Sequence, residues 1–210
     1  MISYFSLACI CIAYVLFDVN YFLRILFTIG YGRLFQAKKK IFEKTSIYGI
    51  CLIDFSRRYH GICLSMDVDI FLKHMNNARY LRELDFARFH YYDRSGIYGE
   101  IAKRGGGAVQ GASSTRYRRA IPIFTPYKVT TQLIYWDDRN FYLEHEFISL
   151  SDNFVRAVVL SKQSVTGLKV PVAEIIEKVE AGAKRPEPTA DLKLWLDSME
   201  ESSLRYKKTK

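Results

Sequence analysis

The chain has few cysteines. Four occur among its 210 residues, and two of them, Cys9 and Cys11, lie inside an apolar N-terminal run, so that only Cys51 and Cys63 could meet elsewhere. This number and placement exclude a small secreted domain held together by a disulfide framework. The chain also lacks an Asn-x-Ser/Thr acceptor for N-glycosylation, which favours a reducing, cytosolic setting for the folded part.

No basic domain stands out, although the net charge is +9. The positive residues fall into small clusters: Lys38–Lys40, Arg57–Arg58, Arg116 with Arg118 and Arg119, and Lys207–Lys210. The sequence has neither a zinc-finger spacing nor an RNA-recognition signature, so we expect no nucleic-acid partner. With 49% hydrophobic and 25% charged residues, the composition instead indicates one folded domain and a separate apolar segment.

The N-terminal apolar segment is long enough to cross a membrane. Ile2–Phe17 contains no charged residue, and Tyr21–Tyr31 continues the apolar character, with only Asp18 and Arg24 as interruptions. A bilayer core requires about 20 such residues. A cleaved signal peptide is the alternative, but it would have a basic start and a small-x-small cleavage site, which this segment lacks. We therefore predict an uncleaved membrane anchor.

Basic residues follow this segment instead of preceding it. Arg33 and Lys38–Lys40 lie on its C-terminal side, and the positive-inside rule places that side in the cytosol. The terminal Lys207–Lys210 resembles a dilysine retrieval signal of the endoplasmic reticulum, although a solvated basic tail is the alternative. We expect an endoplasmic-reticulum membrane protein whose folded domain faces the cytosol, or a secreted or lumenal protein if the segment is cleaved.

The hydrophobic period predicts one long helix followed by strands. Residues 76–92 carry an apolar stripe at alternating spacings of three and four, with Asn76 as the N-cap. The stripe consists of Asn77, Tyr80, Leu84, Ala87 and Tyr91. After Gly105–Gly107 the period changes to two, which predicts antiparallel strands over residues 114–121, 127–136, 141–148 and 154–160. One helix packed on a meander of strands predicts an α+β domain.

The segment Asp67–Tyr80 joins the predicted first strand to this helix. It contains Asp-Val-Asp and then His-Met-Asn-Asn-Ala-Arg-Tyr, and it resembles the signature of 4-hydroxybenzoyl-CoA thioesterase-like proteins, Asp-x-Asp followed by His-x-Asn-Asn-x-x-Tyr. Tyr80–Arg88, Trp136–Arg139 and the N-terminal anchor resemble more narrowly a membrane-anchored branch of that superfamily. The resemblance covers residues 60–165 and implies the hotdog fold, an antiparallel sheet wrapped around one long central helix.

The resemblance divides the chain into four parts. We predict an N-terminal transmembrane anchor over residues 1–32, a basic juxtamembrane linker with a partial duplication over 33–59, the hotdog domain over 60–167, and C-terminal helices with a basic tail over 168–210. The duplication concerns Gly49–Leu52 and Gly61–Leu64, which are twelve residues apart and identical, although the residues around them differ. Hotdog relatives need one strand here, so we predict that only the second copy forms it.

The resemblance also implies a site for thioester hydrolysis that uses no metal and no organic cofactor. In catalytic relatives the second carboxylate of the motif is the base or nucleophile, which here is Asp69, and His74 would orient the water or the carboxylate. The start of the helix would bind the substrate and stabilise the oxyanion through backbone amides. The residues concerned are Asn76, Asn77 and Ala78. The CoA phosphates would meet basic residues on the first strand after the helix, namely Arg116, Arg118 and Arg119.

Structural roles stay open for all of these residues. Asp69 could cap a turn, His74 could fix the loop, and Asn76 and Asn77 could do nothing beyond capping the helix. The three arginines could line a solvated strand edge. Asp67 is expected to cap a turn, and His145 has the apolar parity of its strand, which indicates a core histidine. Ile70–Lys73 departs from the pattern, since many active members have a shorter loop there. Two functions follow: an acyl-CoA hydrolase in lipid metabolism, or a non-catalytic hotdog module that binds acyl chains or partner proteins. We expect a homodimer in either case, because a single hotdog sheet leaves one long edge unpaired.

Overall fold

A computed structural model of the chain describes residues 3–48, 51–53 and 59–207. The helices are α1 (Tyr4–Leu16), α2 (Val19–Phe35), α3 (Asn77–Ser95), α4 (Ile97–Lys103), α5 (Val172–Val179) and α6 (Ala190–Arg205). The strands are β1 (Thr45–Tyr48), β2 (Cys51–Ile53), β3 (Tyr59–Ile62), β4 (Gly107–Tyr117), β5 (Pro126–Trp136), β6 (Asn140–Ser149) and β7 (Val155–Thr166). The α+β hotdog arrangement is confirmed: one antiparallel sheet surrounds the long helix α3.

The sheet has the strand order β2-β3-β5-β6-β7-β4, and β1 also pairs with β5. β3 and β1 occupy successive parts of the same edge of β5, because Gly61 lies opposite Tyr127 and Thr45 lies opposite Thr131. The sheet therefore begins within the range 33–59, where we expected a linker. The strand preference of the β-branched Thr45 and Ile47 fits this pairing, and both side chains are buried.

The two copies of the duplicated segment lie next to each other. Cys51 and Leu52 of the first copy are in β2, which pairs antiparallel with β3, so that Cys51 is opposite Gly61 of the second copy. The expectation that only the second copy forms a strand is therefore wrong for the described part of the repeat. The reason is that β3 has a free edge, which a neighbouring extended segment can pair with. Gly49 and Ile50 lie outside the described residues.

Helix α3 fits its predicted pattern closely. Tyr80, Leu84, Ala87 and Tyr91 are all buried against the sheet, whereas Asn77 at the helix start is exposed. The side chain of Asn76 caps the helix as predicted, since its oxygen accepts the amide of Ala78 at 2.9 Å. The helix ends at Gly96, whose φ of 80° is the left-handed conformation that glycine adopts at low cost.

The N-terminal segment differs from the single transmembrane helix that we expected. It forms two helices, because Asp18 interrupts the apolar run and its carboxylate accepts the amide of Tyr21 at 3.2 Å, capping α2. No helix in the described part of the chain is both long and apolar enough to cross a bilayer. Helix α1 has 13 residues, and each of its side chains that the structure describes is exposed.

Helix α2 packs along α3 in the same direction. Asp18 forms an ion pair with Arg82 near the start of both helices, and Arg33 forms one with Asp93 near their ends. This packing covers the charged face of α3, which periodicity alone assigned to solvent. Glu83, on that face, is fully buried.

The C-terminal helices pack on the domain as an appendage. Val172, Ile175 and Ile176 of α5 belong to the core next to α4, and Leu192 of α6 is buried. The ring of Trp195 meets that of Tyr142 edge-on, with 6.4 Å between the centroids. The last three lysine-rich residues, 208–210, lie outside the described residues, so the proposed retrieval signal stays a prediction.

Candidate functional site

Asp69 and His74 lie at the two ends of one tight turn between the sheet and α3. The amide of Asp69 donates to the carbonyl of His74 at 2.9 Å. The neighbouring residues on the outer sides of this pair, Val68 and Met75, form an antiparallel β-bridge. The Asp69 carboxylate is 3.6 Å from Nε2 of His74 and accepts the amide of Lys73 at 3.2 Å. The structure thus brings together the two side chains that the motif singled out. A carboxylate beside an imidazole can activate a water molecule.

At the start of α3, the backbone amide of Ala78 already has a hydrogen-bond acceptor, whereas that of Asn77 is available to a ligand. Asn76 accepts the amide of Ala78 at 2.9 Å, so Ala78 can serve an oxyanion only if Asn76 rotates away. The amide of Asn77 has no partner among the described residues, and it points from the positive end of the α3 dipole. The carbonyl of Asn77 accepts the hydroxyl of Tyr117 at 3.0 Å, which fixes the end of β4 against this helix start.

Asp67 lies two residues before Asp69 but belongs to a buried ion-pair network. Its carboxylate is fully buried, accepts the amide of Leu64 at 2.9 Å and is 2.7 Å from Nε of Arg79, an ion contact that is not aligned as a hydrogen bond. Arg79 also contacts Glu83 at 3.1 Å, the i, i+4 pair on α3. Burial raises the pKa of Asp67 in spite of Arg79. Asp67 is therefore a structural residue, as expected.

The loop between Asp69 and His74 is apolar and exposed. Ile70, Phe71 and Leu72 all point to solvent, and Leu72 has a φ of 54°. The turn closes through the amide of Leu72, which donates to the carbonyl of Asp69 at 3.0 Å. The Asp69 side chain beside this loop is 18% exposed, so its carboxylate is still accessible to solvent.

Two of the three arginines expected near the CoA phosphates converge on one aromatic ring. The guanidinium carbons of Arg118 and Arg119 are 4.7 and 4.5 Å from the centroid of Phe154, and Arg156 adds a third at 5.5 Å. Arg156 is neutralised by Asp152 at 2.6 Å. Arg116 lies on the exposed part of β4 and is not part of this group. The cluster follows Tyr117 directly, so it lies near the start of α3.

Lys38–Lys40 lie at the opposite end of α3 from Asp69. They line a groove of about 700 Å³ together with Ser95, Gly96, Lys103 and Lys178. Helix α2 separates these lysines from α1, and at 1.5 Å per residue its 17 residues span about 25 Å. The groove does not include Asp69 or His74. It is therefore a separate feature of the surface, not part of the candidate site.

Other groups that could carry chemistry are occupied or protected. His145 is fully buried, and its two ring nitrogens are each 2.9 Å from a hydroxyl, of Thr131 and of Ser161. It is the core histidine that strand parity predicted. The thiol of Cys63 is buried, and burial raises its pKa to about 12, which makes it a poor nucleophile. The described residues contain no cluster of ligands able to hold a metal ion.

Sequence reasoning missed three contributors to the site region: Tyr117, Arg156 and Arg24. Tyr117 and Arg156 reach the site only through pairing between β4 and β7, which joins residues about 40 positions apart. Arg24 lies on α2, and its two terminal guanidinium nitrogens each donate to an oxygen of Glu83 at 2.5 Å. The signal for Arg24 in the sequence is a charge within an apolar segment, which the expected membrane segment does not explain.

Comparison with known proteins agrees with this geometry. Residues 63–196 match the family described as "Thioesterase-like superfamily". The chain is 56% identical over 199 residues to Protein THEM6 of Drosophila melanogaster, covering 95% of this chain and 96% of that protein. It is 35% identical over 201 residues to Protein THEM6 of Xenopus laevis, covering 94% and 89%. The narrower resemblance expected from Tyr80–Arg88 and Trp136–Arg139 is thereby confirmed.

Solved structures with low sequence identity share the fold. The probable thioesterase YbaW from Escherichia coli superposes with a TM-score of 0.53 at 19% identity, covering 66% of this chain and 96% of that one. A 1,4-dihydroxy-2-naphthoyl-CoA thioesterase from Synechocystis superposes with a TM-score of 0.51 at 10% identity, covering 69% and 100%. A Staphylococcus aureus protein in complex with CoA also gives 0.51 at 13% identity, covering 73% and 92%. Sequence, fold and motif agree, and the chain belongs to the thioesterase-like superfamily.

Proposed function

We propose that this protein hydrolyses acyl-CoA or a related lipid thioester at the cytosolic face of the endoplasmic-reticulum membrane. The observation that carries the proposal is the Asp69–His74 pair, 3.6 Å apart, directly before the start of α3. It combines a carboxylate, an orienting imidazole and a helix N-terminus in one turn. The superfamily and the names of structural neighbours support the same reaction class.

The proposed chemistry divides between the turn and the helix. Asp69 either removes a proton from the attacking water or attacks the thioester carbonyl itself, and His74 holds the carboxylate or the water in position. The amide of Asn77 and the α3 dipole stabilise the oxyanion that develops on the carbonyl oxygen. The side chain of Asn76 accepts a hydrogen bond from the Ala78 amide and so keeps the helix start ordered. With Asp69 as base, the carbon–sulfur bond breaks and CoA leaves as the thiol with the proton taken from water. With Asp69 as nucleophile, the CoA thiolate leaves an acyl–Asp69 anhydride, which water then hydrolyses to the free acid and the Asp69 carboxylate.

Arg118 and Arg119 are the proposed contacts for CoA phosphates. Their guanidinium groups lie together on Phe154 without a carboxylate partner among the described residues, whereas Arg156 is paired with Asp152. Arginine binds phosphate oxygens through charge-assisted hydrogen bonds. A structural neighbour solved with CoA supports a CoA ligand for this fold.

The reaction is tested by replacing Asp69 with Asn. This change keeps the shape but removes the charge, so hydrolysis of acyl-CoA is expected to fall by about 10²-fold or more while acyl-CoA still binds. Asp67→Asn is the matched control. Asn at this position keeps an oxygen that can accept the Leu64 amide, and Arg79 keeps Glu83 as a charged partner, so the variant should fold and retain most of its turnover. Wild-type turnover in Asp69→Asn would remove the carboxylate from the mechanism.

The alternative function is a hotdog module that binds acyl chains or partners without hydrolysis. The exposed apolar loop at Ile70–Leu72 favours it, because a binding surface explains exposed apolar residues and hydrolysis alone does not. Wild-type protein that binds acyl-CoA of several chain lengths but hydrolyses none of them would establish this alternative.

The proposed location rests on α1 and on the distribution of charge. Helix α1 is apolar and its described side chains are exposed, which suits membrane attachment, and Arg33 and Lys38–Lys40 follow it. In sealed microsomes, protease added from outside is expected to digest the folded domain without detergent. Protection of the domain until detergent is added would place it in the lumen.

A further inference from the structure

Five large apolar side chains are exposed around the candidate site. Ile70, Phe71 and Leu72 are 89%, 74% and 61% exposed, and Phe124 and Met66 are 69% and 63% exposed. We call this group the apolar tip. Scattered apolar residues are normal on protein surfaces, but three consecutive exposed ones beside two others form a patch of the kind that marks an interaction surface.

The apolar tip is a built structure whose backbone is held in place. The amide of Ile123 donates to the carbonyl of Lys73 at 3.0 Å, and that of Phe124 donates to the carbonyl of Cys63 at 2.7 Å. Leu72 and Phe124 have φ values of 54° and 62°, a region that bulky residues enter only at a cost. The fold therefore holds both side chains outward at some expense.

The apolar tip lies at the same end of α3 as the junction of α1 and α2. Because α2 runs parallel to α3, with Asp18 at Arg82 and Arg33 at Asp93, the end of α1 lies beside the half of α3 that begins at Asn76. The turn that carries the tip leads directly into Asn76. Two exposed apolar elements, far apart in sequence, thus share one end of the molecule.

Positive charge accompanies the apolar tip. Lys73 is exposed within the loop, and Arg118 and Arg119 lie in the segment that runs to Phe124. Apolar side chains with basic neighbours are the combination that binds the interface of an anionic membrane. A second copy of the chain would gain little from these positive charges, because the same charges would face it across a symmetric contact.

We infer that the apolar tip inserts into the lipid interface and is a second membrane contact besides α1. The inference rests on the membrane attachment proposed above. It places Asp69 and the start of α3 at the lipid surface, where the acyl chain of a membrane-partitioned thioester would enter the site. The long apolar loop, which departs from the pattern of many active members, then has a specific purpose.

The test uses the full chain with one added tryptophan. Phe71→Trp reports on the apolar tip, and Leu194→Trp is the matched control, since Leu194 is 71% exposed on α6. Trp195 of that helix packs on Tyr142 near the β5–β6 turn, at the end of the hairpin opposite Phe124. Each variant is mixed with vesicles of phosphatidylserine and phosphatidylcholine, with or without bromine on the phosphatidylcholine acyl chains, and wild-type emission is subtracted.

In Phe71→Trp, we expect bromolipid to quench the emission of the added tryptophan at least about twofold, because interfacial side chains reach about 5–10 Å into the boundary that the bromines occupy. The emission of the tryptophan added in Leu194→Trp should not change. Equal quenching in both variants would overturn the inference. A blue-shifted emission in Phe71→Trp that lipid does not alter would also overturn it, and would mean that another copy of the chain covers the tip.

Two further measurements separate this inference from the proposed function. Co-sedimentation of the wild-type chain with the vesicles reports on attachment as a whole, and its absence would overturn both membrane statements. Hydrolysis of a water-soluble short-chain acyl-CoA without lipid reports on the reaction alone. Phe124→Ser changes the apolar tip outside the turn that carries Asp69 and His74, and it is expected to leave this hydrolysis unchanged. If Phe71→Trp sediments with vesicles but its added tryptophan is not quenched, only the apolar tip is refuted as a membrane contact.

Discussion

Two aspartates only two residues apart have opposite environments. Asp67 is fully buried and contacts Arg79, whereas Asp69 is partly exposed and contacts His74. Their turns explain the difference: Asp67 accepts the amide of Leu64 inside the domain, whereas Asp69 begins the exposed turn that ends at His74. The motif alone could assign the reactive role to the second carboxylate, but the ion-pair network around Asp67 could not be foreseen, because one of its members comes from α2.

The burial of His145 could be predicted from the sequence, whereas the burial of His90 could not. His145 lies on a strand whose alternation is clear, so its burial follows from its position. His90 lies on α3 outside the predicted apolar stripe, yet it is buried, because α2 covers that face. Its ring is 2.6 Å from the side-chain oxygen of Gln36, which follows α2.

His90 makes the contact between α2 and α3 sensitive to acid. Burial, and secondarily the charge of Arg94, lower the pKa of His90 from 6.5 to about 4. The unfolded chain therefore takes up a proton below about pH 6.5 that the folded chain takes up only near pH 4, so the free energy of unfolding should fall as the pH drops across that range. We expect urea midpoints measured between pH 7 and pH 4 to decrease.

The variant His90→Gln tests whether His90 causes this loss of stability at low pH. It keeps a hydrogen-bonding side chain beside Gln36 but has no group that titrates there. The decline of the urea midpoint should become shallower than in the wild type, with the remainder due to other groups, including the buried His145. An unchanged slope would show that His90 is not responsible.

At the scale of elements, local pattern located α3 and the four long strands. Periods of 3.6 and 2 are properties of adjacent residues, so residues 76–92 and the runs from residue 114 onwards could be read directly. The start of β4 at Gly107 was missed, because Gly107–Gly111 has little side-chain pattern. Helix α2 differs from the predicted transmembrane segment for another reason, because packing against α3 and burial in lipid select similarly apolar sequences.

The contact of α2 with α3 depends on a buried arginine. Arg24 binds Glu83 with two hydrogen bonds of 2.5 Å and lies 3.9 Å over the ring of Phe86. Removing it leaves Glu83 buried with one partner fewer, so Arg24→Ala is expected to lower the free energy of unfolding by about 3–5 kcal/mol. Chemical denaturation at neutral pH measures this loss.

Arg33→Ala is the matched control for that prediction. Arg33 is also an arginine on α2 paired with an acid of α3, Asp93 at 2.7 Å, but its side chain is 68% exposed. An exposed pair contributes at most about 1 kcal/mol. Equal losses in the two variants would mean that burial of the Arg24–Glu83 pair has no special role, and that α2 is held by its apolar contacts alone.

At the scale of the whole molecule, the sheet ends in an open edge. β4 is the last strand in the order, and nothing in the described chain pairs with its outer side over 11 residues. A long free edge offers unpaired amides and carbonyls to any other strand. The sequence indicated that such an edge would exist, but which strand would form it depends on how the four long strands are ordered.

We therefore expect a homodimer in which the β4 edges of two chains pair antiparallel about a twofold axis. An isologous contact of this kind satisfies both edges at once and closes the assembly. Light scattering in detergent, with the detergent mass subtracted, should give two chains per particle. Amide hydrogen exchange supplies an internal check: pairing on one side protects alternate amides of β4, whereas pairing on both sides protects consecutive ones. A particle of one chain with alternate exchange along Gly107–Tyr117 would rule out this dimer.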